Sequence, residues 1–211
     1  MSAGDRYLLA LLVAFLAIFT ALGLAPSYRE DWLLENLLVF VALPVLVATH
    51  RRLRFSNFAY TCLFAFFVLH EIGAHYTYSE VPWREWLAAV SSGAGGALAG
   101  RNHYDRFVHF SYGLLMMPAV WELMQARMSP QRLWRWLMPV LFIMSHSVIY
   151  EMIEWVAAVM FGGDLGVAYL GTQGDEWDAQ KDMALASSGA VIGLLVVALR
   201  SRSRAAISTR S

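Results

Sequence analysis

Histidine and carboxylate side chains recur at helical spacing in this sequence of 211 residues. Four pairs lie three or four residues apart, namely Glu71 with His75, Asp105 with His109, Glu151 with Glu154, and Asp178 with Asp182. Residues at these separations share one face of a helix. Each of four helices is therefore predicted to present two ionisable groups on one face.

Such pairs indicate a metal site, because facing helices of a bundle that each contribute a pair can together surround an ion. Imidazole combined with carboxylate is typical of zinc, iron or manganese sites, whereas carboxylates alone suit magnesium or calcium. We therefore predict a divalent transition metal as the cofactor. The predicted ligands are His70, Glu71, His75, Asp105, His109, Glu151, Asp178 and Asp182. The predicted acid–base groups are Glu71, Asp105, His109, Glu151 and Glu154.

The local excess of negative charge also indicates a bound cation. Together with Asp175 the pairs supply up to seven carboxylates, and the obvious nearby cations are Arg106 and Lys181. A surplus of carboxylates near lipid is costly unless they are protonated, paired or bound to a cation. A metal-free site of protonated carboxylates with these two cations is the competing interpretation. In the metal interpretation, Arg106 and Lys181 bind an anionic head group of the substrate.

The elements that must hold these residues are membrane-spanning helices. The chain is 58% hydrophobic and 15% charged, against about 25% charged residues in soluble proteins. About 20 apolar residues are needed to cross a bilayer. The sequence predicts a single all-α domain over 1–200, a polytopic transmembrane helical bundle of about six spans, followed by a disordered basic tail over 201–211. The predicted spans are 7–25, 33–49, 57–77, 104–124, 136–159 and 181–199.

Arginine clusters assign the orientation of these spans. They lie after the second, the fourth and the sixth span, and the single Arg6 precedes the first. By the positive-inside rule, both termini are predicted to be cytoplasmic. All four pairs then reach the outer third of the bilayer, where His109 is only about 6 Å below Asp105 at 1.5 Å per residue. The zero net charge argues against nucleic acid as a partner.

Three further features bear on the arrangement of the helices. In the long loop 79–103, helical spacing is seen for Trp83, Trp86, Leu87 and Val90, and it predicts a short helix on the membrane surface. A Gly-rich connector, 91–96, follows this helix.

Gly189 and Gly193 form a GxxxG pair, which is typical of close helix packing. Tyr78 is predicted to belong to an interfacial belt of aromatic residues.

The ionisable pairs belong to longer motifs, HEIGAHYTY at 70–78, DRFVHF at 105–110, YEMIEW at 150–155 and GDEWDAQKDM at 174–183. With these motifs the chain resembles, over nearly its whole length, the YjdF-type bacterial inner-membrane proteins, a family of unknown function.

The second half of the chain is also similar to the VanZ-like membrane proteins. Both have the motif Asp-x-x-x-His-Phe at the start of one span, a Glu in the next span and Asp-x-x-Asp before a Gly-rich span. The matching residues here are Asp105, His109, Phe110, Glu151, Asp175 and Asp178. The resemblance implies a multi-pass protein of the bacterial inner membrane with a shared polar site. VanZ-like proteins are associated with glycopeptide resistance and the cell envelope.

The sequence leaves three classes of function open. As an enzyme, the protein would be a hydrolase or transferase acting on a lipid or lipid-linked substrate, with the loop 79–103 as a lid. As a proton- or ion-coupled transporter, it would use the same residues as a relay. As a binding protein, it would hold a lipid-linked precursor without chemistry. The apolar cytoplasmic halves of the spans favour a site over a pathway through the membrane.

Overall fold

The computed structural model describes residues 2–90, 100–128, 131–163, 166 and 170–208, and the regular elements in these ranges are α-helices. The predicted all-α class is confirmed. In chain order the helices are α1 (Ala3–Leu24), α2 (Arg29–Glu35), α3 (Leu37–Thr49), α4 (Asn57–His75), α5 (Trp83–Val90), α6 (Tyr104–Met128), α7 (Arg132–Phe161) and α8 (Asp178–Ser208).

Four of these helices, α1, α4, α7 and α8, are long and apolar enough to cross a membrane. A fifth span arises if α2 and α3, which are bent by 41° relative to each other, are counted together. The structure thus supports a helical membrane bundle with four or five such helices rather than the expected six. The predicted span that is missing from this count is 104–124, which corresponds to α6. This helix carries Asp105, Arg106 and Glu122 and is therefore less apolar than the others.

The polarity of α6 follows from its central position, since it packs against α4, α7 and α8. Its Met117 is fully buried and shares a core cluster with Ile143 of α7 and Ala190 of α8. Charged side chains within a bundle face its interior, where other protein groups pair with them. A central helix therefore has no need of an apolar surface on every side.

The backbones of α6 and α8 touch where the two helices cross. A Cβ atom at Gly113 would lie 1.9 Å from the carbonyl oxygen of Ala186, and one at Gly189 would lie 2.0 Å from that of Phe110. At Gly193 the distance to the carbonyl oxygen of Leu114 would be 2.8 Å. The predicted packing role of the GxxxG pair is confirmed, and Gly113 is its counterpart on α6.

A break at Asn36 separates α2 from α3. The Asn36 side chain donates a hydrogen bond to the carbonyl oxygen of Trp32, at 2.9 Å, and thereby stays within its own turn. Asp31, Glu35 and Asn36 are all buried. Two carboxylates of α2 and the amide at the break are thus directed into the protein, and two of these three residues, Glu35 and Asn36, lie in the segment 33–49 that was expected to be an ordinary apolar span.

The predicted short helix is present as α5, and its position on the membrane surface stays a prediction. Its Trp83 ring stacks on Phe107 of α6, with 5.0 Å between the ring centroids, so the loop is anchored at the start of α6. The predicted Gly-rich connector 91–96 lies outside the described residues. Helix α8 continues to Ser208, and the disorder predicted for 201–211 stays a prediction.

Replacing Gly113 by alanine should destabilise the bundle. The added methyl group would overlap the backbone of α8, and we expect the free energy of unfolding to fall by about 3 kcal/mol, the upper part of the range for overpacked cores. Thermal unfolding of the purified protein measures this change. Gly4→Ala is the matched control, because its new Cβ would meet only the mobile end of the Arg54 side chain. An equal loss of stability in both variants would contradict the close crossing.

Candidate functional site

Asp105, His109 and Asp182 each bring one ligand atom to within 4.8 Å of the other two. Asp105 and His109 lie one turn apart on α6, and Nε2 of His109 is 3.4 Å from Oδ1 of Asp105. Asp182 comes from the first turns of α8. Glu151 comes from α7, and its Oε1 atom is 3.7 Å from the same Nε2 atom. Three helices therefore direct carboxylates towards a single imidazole.

The carboxylates of this group are short of hydrogen-bond donors. His109 and Asp182 are buried, and Asp105 and Glu151 are half-buried. Among the residues that the structure describes, Oδ1 of Asp182 and Oε1 of Glu151 have no hydrogen-bond partner. A buried acceptor without a donor costs about 1–3 kcal/mol, and more when it is charged. A bound proton or a bound cation would remove this cost, so the arrangement suits either.

A second group of charges lies beside the first, and in it every carboxylate is paired. Asp178 accepts from Nη2 of Arg101 at 2.5 Å and from Nη2 of Arg106 at 3.2 Å. Asp175 accepts from Arg106 and, at 2.5 Å, from Nζ of Lys181. We call these five residues the arginine clamp. The Lys181 hydrogen bond, with those from Trp177 and Arg106, holds the pKa of Asp175 well below its usual range.

The arginine clamp joins the loop before α6 to the loop before α8. Arg101 also donates to the carbonyl oxygens of Thr172 and, at 3.3 Å, Gly171. Next to it, the backbone of Asn102 donates to Oε1 of Gln173 at 2.8 Å, and Nε2 of Gln173 donates back to the Asn102 carbonyl at 3.1 Å. These bonds fix the start of α6 relative to the start of α8, where Asp105 and Asp182 lie.

The predicted ligands of α4 lie apart from this group. His70 has both ring nitrogens engaged, with Nδ1 2.6 Å from the hydroxyl of Tyr78 and Nε2 3.2 Å from the carbonyl oxygen of Glu35. Nδ1 of His75 is 2.8 Å from the carbonyl oxygen of Leu22. Glu71 is fully buried, and neither of its oxygens accepts a hydrogen bond from the part of the chain that the structure describes. Tyr78 is thus a buried partner of His70 rather than a belt residue.

The structure therefore divides the predicted site residues into three sets. Asp105, His109 and Asp182 come together, with Glu151 beside them. Asp178, Arg106 and Lys181 belong to the arginine clamp. His70, Glu71 and His75 stay on α4, and within the described residues none of them joins the Asp105 group. Whether any of these residues binds a metal stays a prediction.

Glu35 is a residue of the site region that the sequence analysis missed. Its Oε2 atom accepts a hydrogen bond from the hydroxyl of Tyr150 at 3.1 Å. Tyr150 is also hydrogen-bonded to Glu154, so the predicted acid–base residue Glu154 is linked to Glu35 through it. The signal was present in the sequence, because an ionisable residue inside a predicted span is itself a functional indication.

A cavity of about 300 Å³ opens beside the Asp105 group, between α3, α4, α6 and α7. We call it the lateral cavity. Asp105 and His109 line one end of it, and Met116 lines the part farthest along α6. The rest of the wall is mainly apolar and includes Phe66 and Val39. The ionisable group therefore faces an apolar space within the bundle rather than only the aqueous surface.

Replacing Arg101 by glutamine should weaken the arginine clamp. It would leave Asp178 with Arg106 as its remaining cation and remove the donors to two loop carbonyls. We expect the free energy of unfolding to fall by about 3 kcal/mol, as for other broken buried pairs. Thermal unfolding is again the measurement. Arg84→Gln removes an exposed arginine of α5 and serves as the control. An equal loss of stability in the two variants would show that Arg101 does not stabilise the contact between the two loops.

Comparison with known proteins now adds to this geometry. Residues 7–203 match a family described as a predicted membrane protein (DUF2238). The chain is 31% identical over 194 residues to the protein named inner membrane protein YjdF of Escherichia coli strain K12, covering 90% of this chain and 87% of that relative. No solved structure matches the chain. The family match spans nearly the whole chain, and the motifs that suggested a YjdF-type protein include the residues that converge here. The chain belongs to the DUF2238 family of membrane proteins, to which its YjdF-type motifs had assigned it.

Proposed function

We propose that this multi-pass inner-membrane protein binds a divalent metal ion with Asp105, His109 and Asp182, and uses it to act on or bind an envelope lipid or lipid-linked substrate. The observation that supports the metal site best is the approach of three ligand atoms to within 4.8 Å of one another. Glu151 lies within reach as a fourth ligand or as an acid–base group.

The donor set favours a transition metal. One imidazole and two or three carboxylates are ligands that zinc, iron and manganese accept. An ion with two positive charges would offset the charges of Asp105 and Asp182 and would provide a partner for the free Oδ1 atom of Asp182. A metal bound in this way polarises an oxygen of a substrate or activates a water molecule. Glu151 is placed to take up or release a proton beside it.

The charges of the arginine clamp bear on how a substrate head group would bind. Arg106 and Lys181 were predicted to hold an anionic group, but both are bonded to Asp175. An anionic head group would have to compete with that carboxylate, whereas a metal ion bound by three protein ligands would leave a coordination position open to an oxygen of the head group. We therefore assign the head group to the metal and a positioning role to Arg106 and Lys181.

A proton- or ion-coupled transporter is the second candidate function. Glu35, Tyr150 and Glu154 extend the polar groups beyond the Asp105 group. Asp31 and Glu71 add buried carboxylates that have no hydrogen-bond partner among the described residues. Intramembrane carboxylates of this kind serve proton relays in other membrane proteins. This candidate needs no metal, which separates it from the first.

Elemental analysis of the purified protein tests the metal site. We expect about one transition metal ion per chain, and a fall to below about a tenth in Asp105→Asn and Asp182→Asn, because loss of a ligand weakens binding more than the 10–100-fold typical of residues behind the ligands. Glu71→Gln is the matched control, since Glu71 is an equally buried carboxylate outside the group.

Two outcomes would contradict the metal site. Metal retained in Asp105→Asn and Asp182→Asn would place the ion elsewhere. A folded wild-type protein that takes up no metal, even after metal is added back, would favour protonated carboxylates and hence the transporter or a binding protein without metal.

We propose further that α6 is a sixth span and that both termini are cytoplasmic. Helix α6 has 25 residues, more than the ~20 that cross a bilayer, and arginine clusters follow alternate spans. Fusions of green fluorescent protein and of alkaline phosphatase at Arg54 and Gly96 test this topology. We expect fluorescence at Arg54 and phosphatase activity at Gly96. If both fusion positions report the same side of the membrane, the proposed topology is wrong.

A further inference from the structure

The lateral cavity has a polar end and an apolar remainder. Asp105 and His109 line its polar end, while Val108, Tyr112 and Met116 continue along the same side of α6. The eleven helical steps from Asp105 to Met116 cover about 16 Å of helix axis at 1.5 Å per residue. A group held at the polar end would thus have an apolar space next to it that runs towards the middle of the membrane.

The open side of this cavity faces lipid. Val41 of α3 and Ile149 and Ile153 of α7 line it, and they are exposed by 64%, 52% and 44%. In a helix of a membrane protein, exposed apolar side chains on such a face contact lipid chains rather than water. A molecule already dissolved in the bilayer can therefore enter between α3 and α7 without crossing an aqueous phase.

We propose that the lateral cavity binds the hydrocarbon chain of a membrane lipid whose head group reaches Asp105 and His109. This inference rests on the proposed function and specifies its substrate: a lipid that enters sideways from the bilayer between α3 and α7. The head group lies at the metal ligands, and the chain extends past Tyr112 towards Met116.

The dimensions of the cavity fit such a chain. A length of about 16 Å holds roughly twelve carbon atoms in extended form, because each C–C bond of about 1.5 Å advances the chain by about 1.25 Å. The volume of about 300 Å³ admits one such chain rather than a bundle of chains. The cavity thus selects for one chain of the lipid, and any remainder of the molecule stays in the bilayer.

Water is a poor occupant of the same space. A buried water molecule needs two to four polar partners. Away from Asp105 and His109 the wall is mainly aliphatic and aromatic, with His70, His146 and Ser147 among its polar residues. Both ring nitrogens of His70 are engaged, and Nδ1 of His146 is 2.9 Å from the carbonyl oxygen of Phe142 in its own helix. A hydrated ion pathway through this cavity would therefore find few free partners. A hydrocarbon chain needs none, and because it comes from the bilayer it exchanges one apolar surrounding for another.

Photolabelling with a long-chain alcohol that carries a diazirine near its methyl end tests the inference. The hydroxyl group of the alcohol can donate to the carboxylates, and the diazirine then lies at the apolar end. We expect labelled peptides from the part of α6 that contains Tyr112 and Met116, and loss of the label when excess unlabelled alcohol is present. Ile149→Trp, which covers the open side, should abolish this labelling. Val148→Trp is the control, because Val148 faces lipid next to Ile149 but does not line the cavity.

Metal content measured on the same preparations separates this inference from the proposed function. Labelling of α6 that is lost in Ile149→Trp and kept in Val148→Trp, with the same metal content in both variants, supports the chain-binding cavity and the metal site. Labelling that is equal in the two variants, or confined to outer surfaces, overturns the chain-binding cavity even where metal is retained. Absence of metal from the wild-type protein overturns the proposed metal site, while the labelling pattern still decides what occupies the cavity.

Discussion

The contact between the backbones of α6 and α8 is the constraint on which the candidate site depends. Gly113 and Gly189 bring each helix against a carbonyl oxygen of the other, so no side chain fits between them. His109 lies one turn before Gly113, and Asp182 lies two turns before Gly189. The crossing therefore fixes how closely the α8 carboxylate approaches the α6 imidazole. Helices held apart by larger residues would separate Asp182 from His109 by more than a metal ion can bridge.

The charges around this crossing fall into two groups with different roles. In the arginine clamp, Asp175 and Asp178 are bonded to Arg101, Arg106 and Lys181, and the loops that begin α6 and α8 are tied together. The group formed by Asp105, His109 and Asp182, with Glu151, has three carboxylates but one imidazole. Because the nearby cations are committed to the clamp, the negative charge of the second group is left for a proton or a metal ion to balance.

Much of the site was predictable from spacing alone. The i,i+4 relation of Asp105 and His109 fixed their common face, and a pair on each of several helices indicated convergence. The place of His70 was not predictable in this way. Thr77 and Tyr78 adopt left-handed backbone conformations, with φ of 52° and 47°, and the turn folds the Tyr78 ring back against α4. Left-handed turns are usually recognised in a sequence by Gly or Asn, and neither residue occurs at these two positions. Glu35 was missed because hydropathy treats 33–49 as one straight span, whereas the break at Asn36 turns α2 inward.

X-ray absorption spectroscopy of the purified, zinc-loaded protein tests whether Asp105, His109 and Asp182 hold a metal ion. We expect zinc to be surrounded by oxygen ligands and a single imidazole, and the scattering of that imidazole to disappear in a His109→Ala variant. A spectrum with several imidazoles, or with a sulfur ligand from the lone Cys62, would show that zinc binds elsewhere and that these three residues do not form its site.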